Sequence, residues 1–552
     1  MVETVTVKVV NTDKELVYPV FTSVHKVMSD IDADGLAARK YACVLVNNQI
    51  YSLNDRVDIN CTLEPITFNT LTGSNVYRRS LSFVLAMAAH QLFPDRKLVI
   101  SHSIGHGLYY YFDGAEASAE DIRLLQGKMT ELVEASLTIK RHAFAYDESL
   151  SYFAKAGLKK TLLLLEHKND HRVLVNICAD YVDLWVAPLV ENTGYLSVFS
   201  IEKYQEGLLI RYPSSENCSE LVPFVDNPTL YKTYVEHQQW GKFLGVDCVG
   251  QLNHIILRSE IKDFIHVAES LHDGKTASIA EKIPQTCKLV CICGPSSSGK
   301  TTFSRKLAIA LRTRGWKPIT ISLDDYYVNR VDTPLDENGN YDFETVEALD
   351  LVLLNNDFAK LFRGETITLP KFNFKTGCRE VGGQLSLPER GILIIEGIHG
   401  LNPRLTAQVD DDVKFKIFIS PLSQLNLDER NRISTSDNRL IRRMVRDKQF
   451  RGYSAAETFR IWPSVRRGED KWIYKFQGEA DAVFNSALDY ELAALKILAV
   501  PLLQQIKPNS IHFSEARRLL DFFANFHTIM PDDIPLTSIL REFIGNGAFG
   551  VH

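Results

Sequence analysis

The sequence has no Cys-x-x-Cys pair, no apolar stretch of bilayer length and no excess of positive charge. Its nine cysteines are scattered at 43, 61, 178, 218, 248, 287, 291, 293 and 378. An odd count without regular spacing predicts reduced thiols, and with them a cytoplasmic protein. Apolar runs such as Leu162–Leu165 fall far short of the ~20 residues that cross a bilayer. The opening MVETVTVKVV reads as a strand carrying Glu3 and Lys8, not as an export signal, so no membrane partner is expected. Lys and Arg number 62 against 68 Asp and Glu, a formal net charge of −6. No global basic field therefore attracts nucleic acid, although a local patch stays open. Repeats and low-complexity tracts are missing too. What is present, 45% hydrophobic and 24% charged residues over 552 positions, suits a soluble chain of about three or four domains.

The chain is organised around KLVCICGPSSSGKTT, residues 288–302. An apolar β-rich run leads into Gly294-x4-Gly299-Lys300-Thr301 and then a helical pattern, the context a phosphate-binding loop requires. Glycines at 294 and 299 permit backbone conformations in which successive N–H groups point at phosphate oxygens. The following helix start adds unpaired donors and a positive dipole end. Gly294, Pro295, Ser296, Ser297, Ser298, Gly299, Lys300, Thr301 and Thr302 are thus expected to cradle a nucleoside triphosphate. Lys300 would reach the β- and γ-phosphates, and the Thr301 hydroxyl would ligate Mg2+. The guanine-reading Asn-Lys-x-Asp motif is absent, against a GTPase.

Downstream, a strand over 318–322 ends in SLDDYY. Strand carboxyl ends face the ligand crevice of open parallel sheets, where a carboxylate can orient an alcohol and take its proton. Asp324 and Asp325 both qualify, with a solvated acidic turn as the plain alternative. The run ILIIEGIHGLN reads as a buried strand ending at Glu396; His399 after it is structural or functional. In NRLIRRMVRDKQFRG, Arg442, Arg443, Arg446 and Arg451 recur at helical spacing. This is either a solvated face or a lid over triphosphate charge.

Residues 288 to about 480 resemble uridine/cytidine kinases and the related phosphoribulokinases. The family pattern S-x-D-x-[FY]-Y is matched by Ser322, Asp324, Tyr326 and Tyr327. The resemblance implies ATP and Mg2+ as cofactors and Asp324 as general base beside a ribose 5′-hydroxyl. It places Tyr327, Tyr341 and Asp342 at the substrate, Lys300 and Arg446 at the transferring phosphoryl group, and Glu396 with Thr301 at the metal. Arg451 would contact ATP and Arg443 the nucleoside; Tyr453 replaces a further lid arginine. LPKFNFKTGCR corresponds to the base-binding segment, with Phe372 and Phe374 as an aromatic wall and Arg379 retained. Gly377 stands where the family's base-reading histidine would be, which removes a hydrogen-bond partner, opens space and shifts or relaxes base preference.

Residues 1–68 carry a hairpin around Asn11–Lys14, a short helix and strands split by Asn47-Asn48. They resemble the TGS domain, a β-grasp module of threonyl-tRNA synthetase and some GTPases. Residues 69–205 run helix, strand, glycine turn, aromatic strand, then a helix over Ala119–Leu132 capped by Ser118, then further strands. They resemble the editing-like domain of threonyl- and alanyl-tRNA synthetases. Where that family carries its metal-binding histidines and cysteine, this chain has Arg79, Phe83, Trp185 and Leu189, so the hydrolytic site is expected to be lost. His102 and His106 are expected in a turn. Residues 206–283 read as a helical connector with helices over Leu230–Phe243, Asn253–Leu271 and Ser278–Ile283. Residues 284–485 form the kinase-like unit and 486–552 a helical extension. The tail sequences FQGEADAVFNSALDYELAALK and IPLTSILREFIGNGAFG resemble those of long, multidomain uridine kinase-like proteins.

The expected fold class is multidomain: β-grasp, α+β synthetase-like unit, and α/β P-loop kinase with a parallel sheet. The expected function is ATP-dependent phosphorylation of a nucleoside 5′-hydroxyl, uridine or cytidine. Another small alcohol such as a sugar phosphate, or an ATP-controlled RNA- or ribosome-associated factor, are the alternatives. RNA contact through the N-terminal units and homo-oligomerisation stay open.

Overall fold

The computed structural model describes residues 3–12, 14–337, 339–373 and 376–550. In the N-terminal unit, strands β1 (Thr4–Val9), β2 (Glu15–Pro19), β3 (Tyr41–Val46), β4 (Gln49–Tyr51) and β5 (Cys61–Thr67) form one sheet, order β2-β1-β5-β3-β4. β1 runs parallel to β5 and every other pairing is antiparallel. Alternating Val5, Val7 and Val9 turn inward, the period-2 pattern of a half-buried strand. Helix α1 (Val24–Ile31) starts where the Ser23 side chain accepts from Lys26 N–H, and it buries Val24, Val27 and Met28. Asn47 and Asn48 have φ of 48° and 61°, the left-handed pair that a two-residue hairpin turn demands.

The second unit opens with α2 (Leu71–Leu92), capped by Thr70. A four-stranded antiparallel sheet joins β6 (Leu98–Ile104), β7 (Gly107–Phe112), β11 (Ser200–Tyr204) and β12 (Gly207–Arg211), order β11-β12-β7-β6. A second, three-stranded sheet holds β8 (Ile139–Ala145), β9 (Arg172–Cys178) and β10 (Tyr181–Leu184). Between the two sheets in sequence lies α3 (Ala119–Glu134), started by a reciprocal capping box of Ser118 and Asp121. Two expectations are corrected here. The β11–β12 hairpin carries this sheet past residue 205, so the helical connector begins later than 206. His102 lies in β6, not in a turn; it is buried and stacked on Tyr234 at 3.6 Å, and burial holds its pKa well below the ordinary value.

The connector comprises α4 (Pro228–Leu244), α5 (Val249–Leu257) and α6 (Ile261–Lys282). The single helix expected over 253–271 is instead broken at Ser259, whose φ is 61°. Among the described residues no helix is long and apolar enough to cross a membrane.

The C-terminal half is built on β13 (Leu289–Cys293), β14 (Lys317–Ser322), β17 (Gly391–Gly397), β18 (Lys414–Ser420) and β19 (Ala482–Asn485). All pair in parallel, order β14-β17-β13-β18-β19. Central β13 is buried at every position, as a strand covered on both faces must be. Helices α7 (Lys300–Arg312) and α8 (Leu351–Phe362) lie along the crossovers, and β15 (Ile367–Asn373) with β16 (Cys378–Leu385) forms a separate hairpin. Then come α9 (Thr435–Arg446), α10 (Ala455–Trp472), α11 (Glu491–Leu503), α12 (Phe513–Phe523) and the short α13 (Arg541–Ile544). One apolar core runs from Val175 of β9 through Leu252 and Ile265 of the connector to Phe303, Ile417, Leu495 and Phe523. The C-terminal extension therefore packs into the same core as the parallel sheet. Buried Glu429 adds a polar joint, accepting from the N–H of Lys160 at 2.7 Å and of Thr161 at 3.1 Å in the second unit.

Candidate active site

Register fixes where the crevice opens. Ser322 pairs with Glu396, and Cys293 with Gly397 and Phe418. The phosphate loop, the Asp324 turn and Glu396 therefore leave the sheet at one edge, the carboxyl ends of the strands.

The loop needs glycine at both ends, for different reasons. A Cβ on Gly294 would sit 2.1 Å from the carbonyl oxygen of Ile419, while Gly299 has φ +85° in the left-handed region. Gly294→Ala is accordingly expected to cost about 1–3 kcal/mol through overpacking against β18. Urea unfolding checks it; an unchanged midpoint would contradict the packing read here.

Lys300 folds back on its own loop, donating to the carbonyls of Gly294 (3.0 Å) and Pro295 (3.1 Å). The Thr301 hydroxyl donates to Glu396 Oε1 at 3.3 Å. Burial and the nearby Asp324 carboxylate push Glu396 up to about 7, with Lys300 acting the other way. Asp324 charge also reaches Tyr327 and Arg451. One acid, one ammonium, one hydroxyl and a second acid thus lie within electrostatic reach of one another at this edge. Excess negative charge beside a hydroxyl, all hard oxygen donors, fits a divalent cation such as Mg2+.

The shift has a consequence for stability. Folded Glu396 keeps its proton up to about pH 7, whereas an unfolded glutamate releases it near 4.3. The folded state therefore binds the extra proton and loses stability as pH rises through that window, by ~3 kcal/mol. Glu396→Gln, which cannot ionise, is expected to gain on the wild type by that order between pH 4.5 and 8. Urea unfolding in EDTA reads the difference; parallel pH profiles would refute it.

The two adjacent acids separate clearly. Asp325 Oδ1 accepts from Phe372 N–H at 3.4 Å, tying the β15–β16 hairpin to this turn, and burial raises its pKa. Tyr326 is buried with its hydroxyl on Asp357 at 3.0 Å. Tyr327 donates to the Phe343 carbonyl at 3.1 Å and its ring lies 5.6 Å from that of Phe372. Asp342 accepts from Glu344 N–H at 3.0 Å, and Tyr341 is exposed.

Two expectations about the acceptor side change. Arg379 is engaged within the protein, donating to the Tyr327 carbonyl (3.2 and 3.1 Å) and to Asp350 (3.0 Å), so it braces the turn. Gly377 does not open space. Its φ is +73°, and a Cβ there would meet Arg330 Nε at 2.8 Å, so an arginine fills the place. Phe374 lies outside the described residues.

On α9, the arginines divide into two pairs. Arg442 Nη1 donates to the Ser297 carbonyl (3.4 Å) and Nη2 to that of Ser486 (2.8 Å), while Nε meets Glu491 at 2.9 Å. Arg439, which the sequence reading missed, donates to the Ser296 carbonyl at 3.0 Å and pairs with Glu469. Both are fully buried and pin the helix to the loop. Arg443 and Arg446 instead converge on buried Asp447, at 3.2 and 2.9 Å, with Arg451 at 3.5 Å. Burial alone would raise Asp447; the three guanidinium groups outweigh it and hold the carboxyl down. Arg446 and burial lower Arg451 to about 10. Arg443 also donates to Ser296 Oγ at 2.8 Å, so this trio sits at the loop.

In the second unit, Arg79, Phe83, Trp185 and Leu189 line one crevice of about 2290 Å³. Among the described residues no group of three or more His, Cys, Asp or Glu could hold a metal.

Residues 289–493 match the model of the Phosphoribulokinase / Uridine kinase family, a similarity that supports a phosphotransferase. The N-terminal part is similar to threonine–tRNA ligases. That of Carboxydothermus hydrogenoformans is 30% identical over 166 residues, covering 30% of this chain and 26% of the ligase. That of Desulforamulus reducens is 33% identical over 181 residues, covering 32% and 28%. The chain thus spans about a quarter of the length of these curated relatives. Among solved structures, D-glycerate 3-kinase from Cryptococcus neoformans var. grubii is 17% identical, covering 48% of this chain and 89% of that one, with a TM-score of 0.22.

Proposed function

We propose that this chain is an ATP- and Mg2+-dependent kinase that phosphorylates the 5′-hydroxyl of a nucleoside of the uridine/cytidine type. The observation that carries the reading is the convergence of Lys300, Thr301, Glu396 and Asp324 at the carboxyl edge of one parallel sheet. Asp324 orients the acceptor hydroxyl and takes its proton as it attacks. Asp325, held by the hairpin, cannot replace it. Lys300 exchanges the Gly294 and Pro295 carbonyls for β- and γ-phosphate oxygens. Arg446 and Arg443 turn from Asp447 toward the transferring group and acceptor, and Arg451 toward ATP; each exchange replaces one anion with another. Thr301 and Glu396 would hold Mg2+, which when bound neutralises charge between the phosphates. Tyr327, Tyr341, Asp342 and Phe372 bound the acceptor side.

In the same reading, residues 1–68 form a TGS-type β-grasp unit, supported by the parallel β1–β5 pair inside an otherwise antiparallel sheet. The second unit is an editing-like scaffold without its metal ligands, and the site of action is the cytoplasm.

A second acceptor class is another small alcohol such as a sugar phosphate, because Gly377 stands where a base-reading histidine would be and a uracil or cytosine edge loses that hydrogen-bond partner. A panel of nucleosides and sugar phosphates, read by ADP release with ATP and Mg2+, separates the two. Turnover with uridine or cytidine is the expected result; turnover with sugar phosphates alone would replace the first reading by the second.

A further inference from the structure

The C-terminal segment reaches back over the phosphate loop. Glu542 of α13 accepts from both the Thr302 N–H and the Thr302 hydroxyl, each at 3.0 Å. Thr302 lies in the first turn of α7, whose N–H groups have no helical partner. That position is where this kind of loop offers its donors to phosphate oxygens. Ile539 presses on Gly299, its Cγ2 2.6 Å from where a Cβ would stand. The Phe543 ring stacks beside the Arg442 guanidinium at 4.9 Å. Ile539 and Phe543 are fully buried and Glu542 is 7% exposed. Arg541 donates to the Pro531 carbonyl at 3.0 Å and Tyr490 meets Ser538 at 3.4 Å, holding the segment there, while Ala548 N–H donates to the Leu536 carbonyl at 2.8 Å and closes the segment on itself. Carboxylate on the loop donors, aliphatic group on the loop glycine and aromatic ring on an arginine together imitate a phosphate with a stacked base.

We propose that the segment 534–548 is an autoinhibitory strap, with Glu542 as a phosphate surrogate that a nucleotide must displace. The inference rests on reading 294–302 as a nucleotide cradle. A phosphate oxygen and the Glu542 carboxylate cannot share the Thr302 donors, because two anions at that distance repel in a dry site. Nucleotide binding and strap release are therefore linked, and each opposes the other's competitor by the same factor. Whatever draws the strap away raises nucleotide affinity, and nucleotide loosens the strap.

A plain helix cap is the competing role for Glu542, and Glu542→Gln tells them apart. The amide oxygen still accepts from Thr302, so a cap survives, but the charge that competes with phosphate is gone. Calorimetry of the full-length chain with a non-hydrolysable ATP analogue and Mg2+ is expected to show at least tenfold tighter binding by the variant. Hydrogen exchange on the wild type supplies a readout without mutation: saturating analogue should speed exchange across 534–548. Equal affinities of variant and wild type, or unchanged or slowed exchange in that segment, would overturn the strap and leave the kinase reading in place. Absence of nucleotide binding in both proteins would overturn both.

Discussion

Asp324→Asn is expected to lower kcat by ~10²–10⁴-fold while leaving the dissociation constant for ATP nearly unchanged. The asparagine keeps the shape of the turn and its amide oxygen can still accept a hydrogen bond from the hydroxyl, but it cannot take up the proton as that hydroxyl attacks. Its neighbour offers no rescue, since Asp325 is turned to Phe372 N–H and burial raises its pKa. A second signature follows from electrostatics. Burial and Asp324 are what lift Glu396 to about 7, so removing the Asp324 charge lowers Glu396 and makes it ionise at lower pH. Coupled ADP assays beside calorimetric ATP titrations check the first effect, and pH-dependent unfolding the second. Wild-type-like turnover in the variant would take Asp324 out of the base role.

Lys300→Met is the second large effect: kcat/KM for ATP should fall by ~10²–10³-fold, the scale of removing one preorganised donor from developing charge. The methionine retains most of the aliphatic stem, and the lost contacts are two loop carbonyls, those of Gly294 and Pro295. Folding should thus be largely spared, and the loss should appear in turnover with a near-native unfolding midpoint. A variant that turns over normally would remove the ammonium from the reaction; one that unfolds would make Lys300 a loop brace.

What could be read from the sequence was whatever is local. The strand, glycine loop and helix start of 289–302 lie within fourteen residues whose physics needs no partner, and β13, β14 and β17 are legible as strands, whereas the four-residue edge strand β19 (Ala482–Asn485) is too short to stand out. Asp324 and Glu396 stand out in the sequence because one lies two residues past a legible strand and the other near the end of one. What escaped is what packing alone decides. Glu542 meets Thr302 across 240 positions and Glu469 meets Ser296 across 173, and neither acid sits in a motif. Arg439 looked like any helical arginine until its helix was seen against the loop. Gly377 misled because a missing side chain suggests space, whereas Arg330 fills it. His102 was hidden by a bulge: the strand register shifts between Ile100 and Ser103, so Leu98 and Ile100 pack into one core and Ile104 into another, and simple alternation does not carry across. The break at Ser259 had no proline or glycine to announce it.

The central claim is that a terminal phosphoryl group passes from the 294–302 cradle to an alcohol beside Asp324. Single-turnover reaction of enzyme, Mg2+ and γ-labelled ATP with uridine tests it most directly. Label moving into uridine 5′-monophosphate is the predicted result. Label that remains in ATP, or appears only as inorganic phosphate whichever alcohol is supplied, would contradict it.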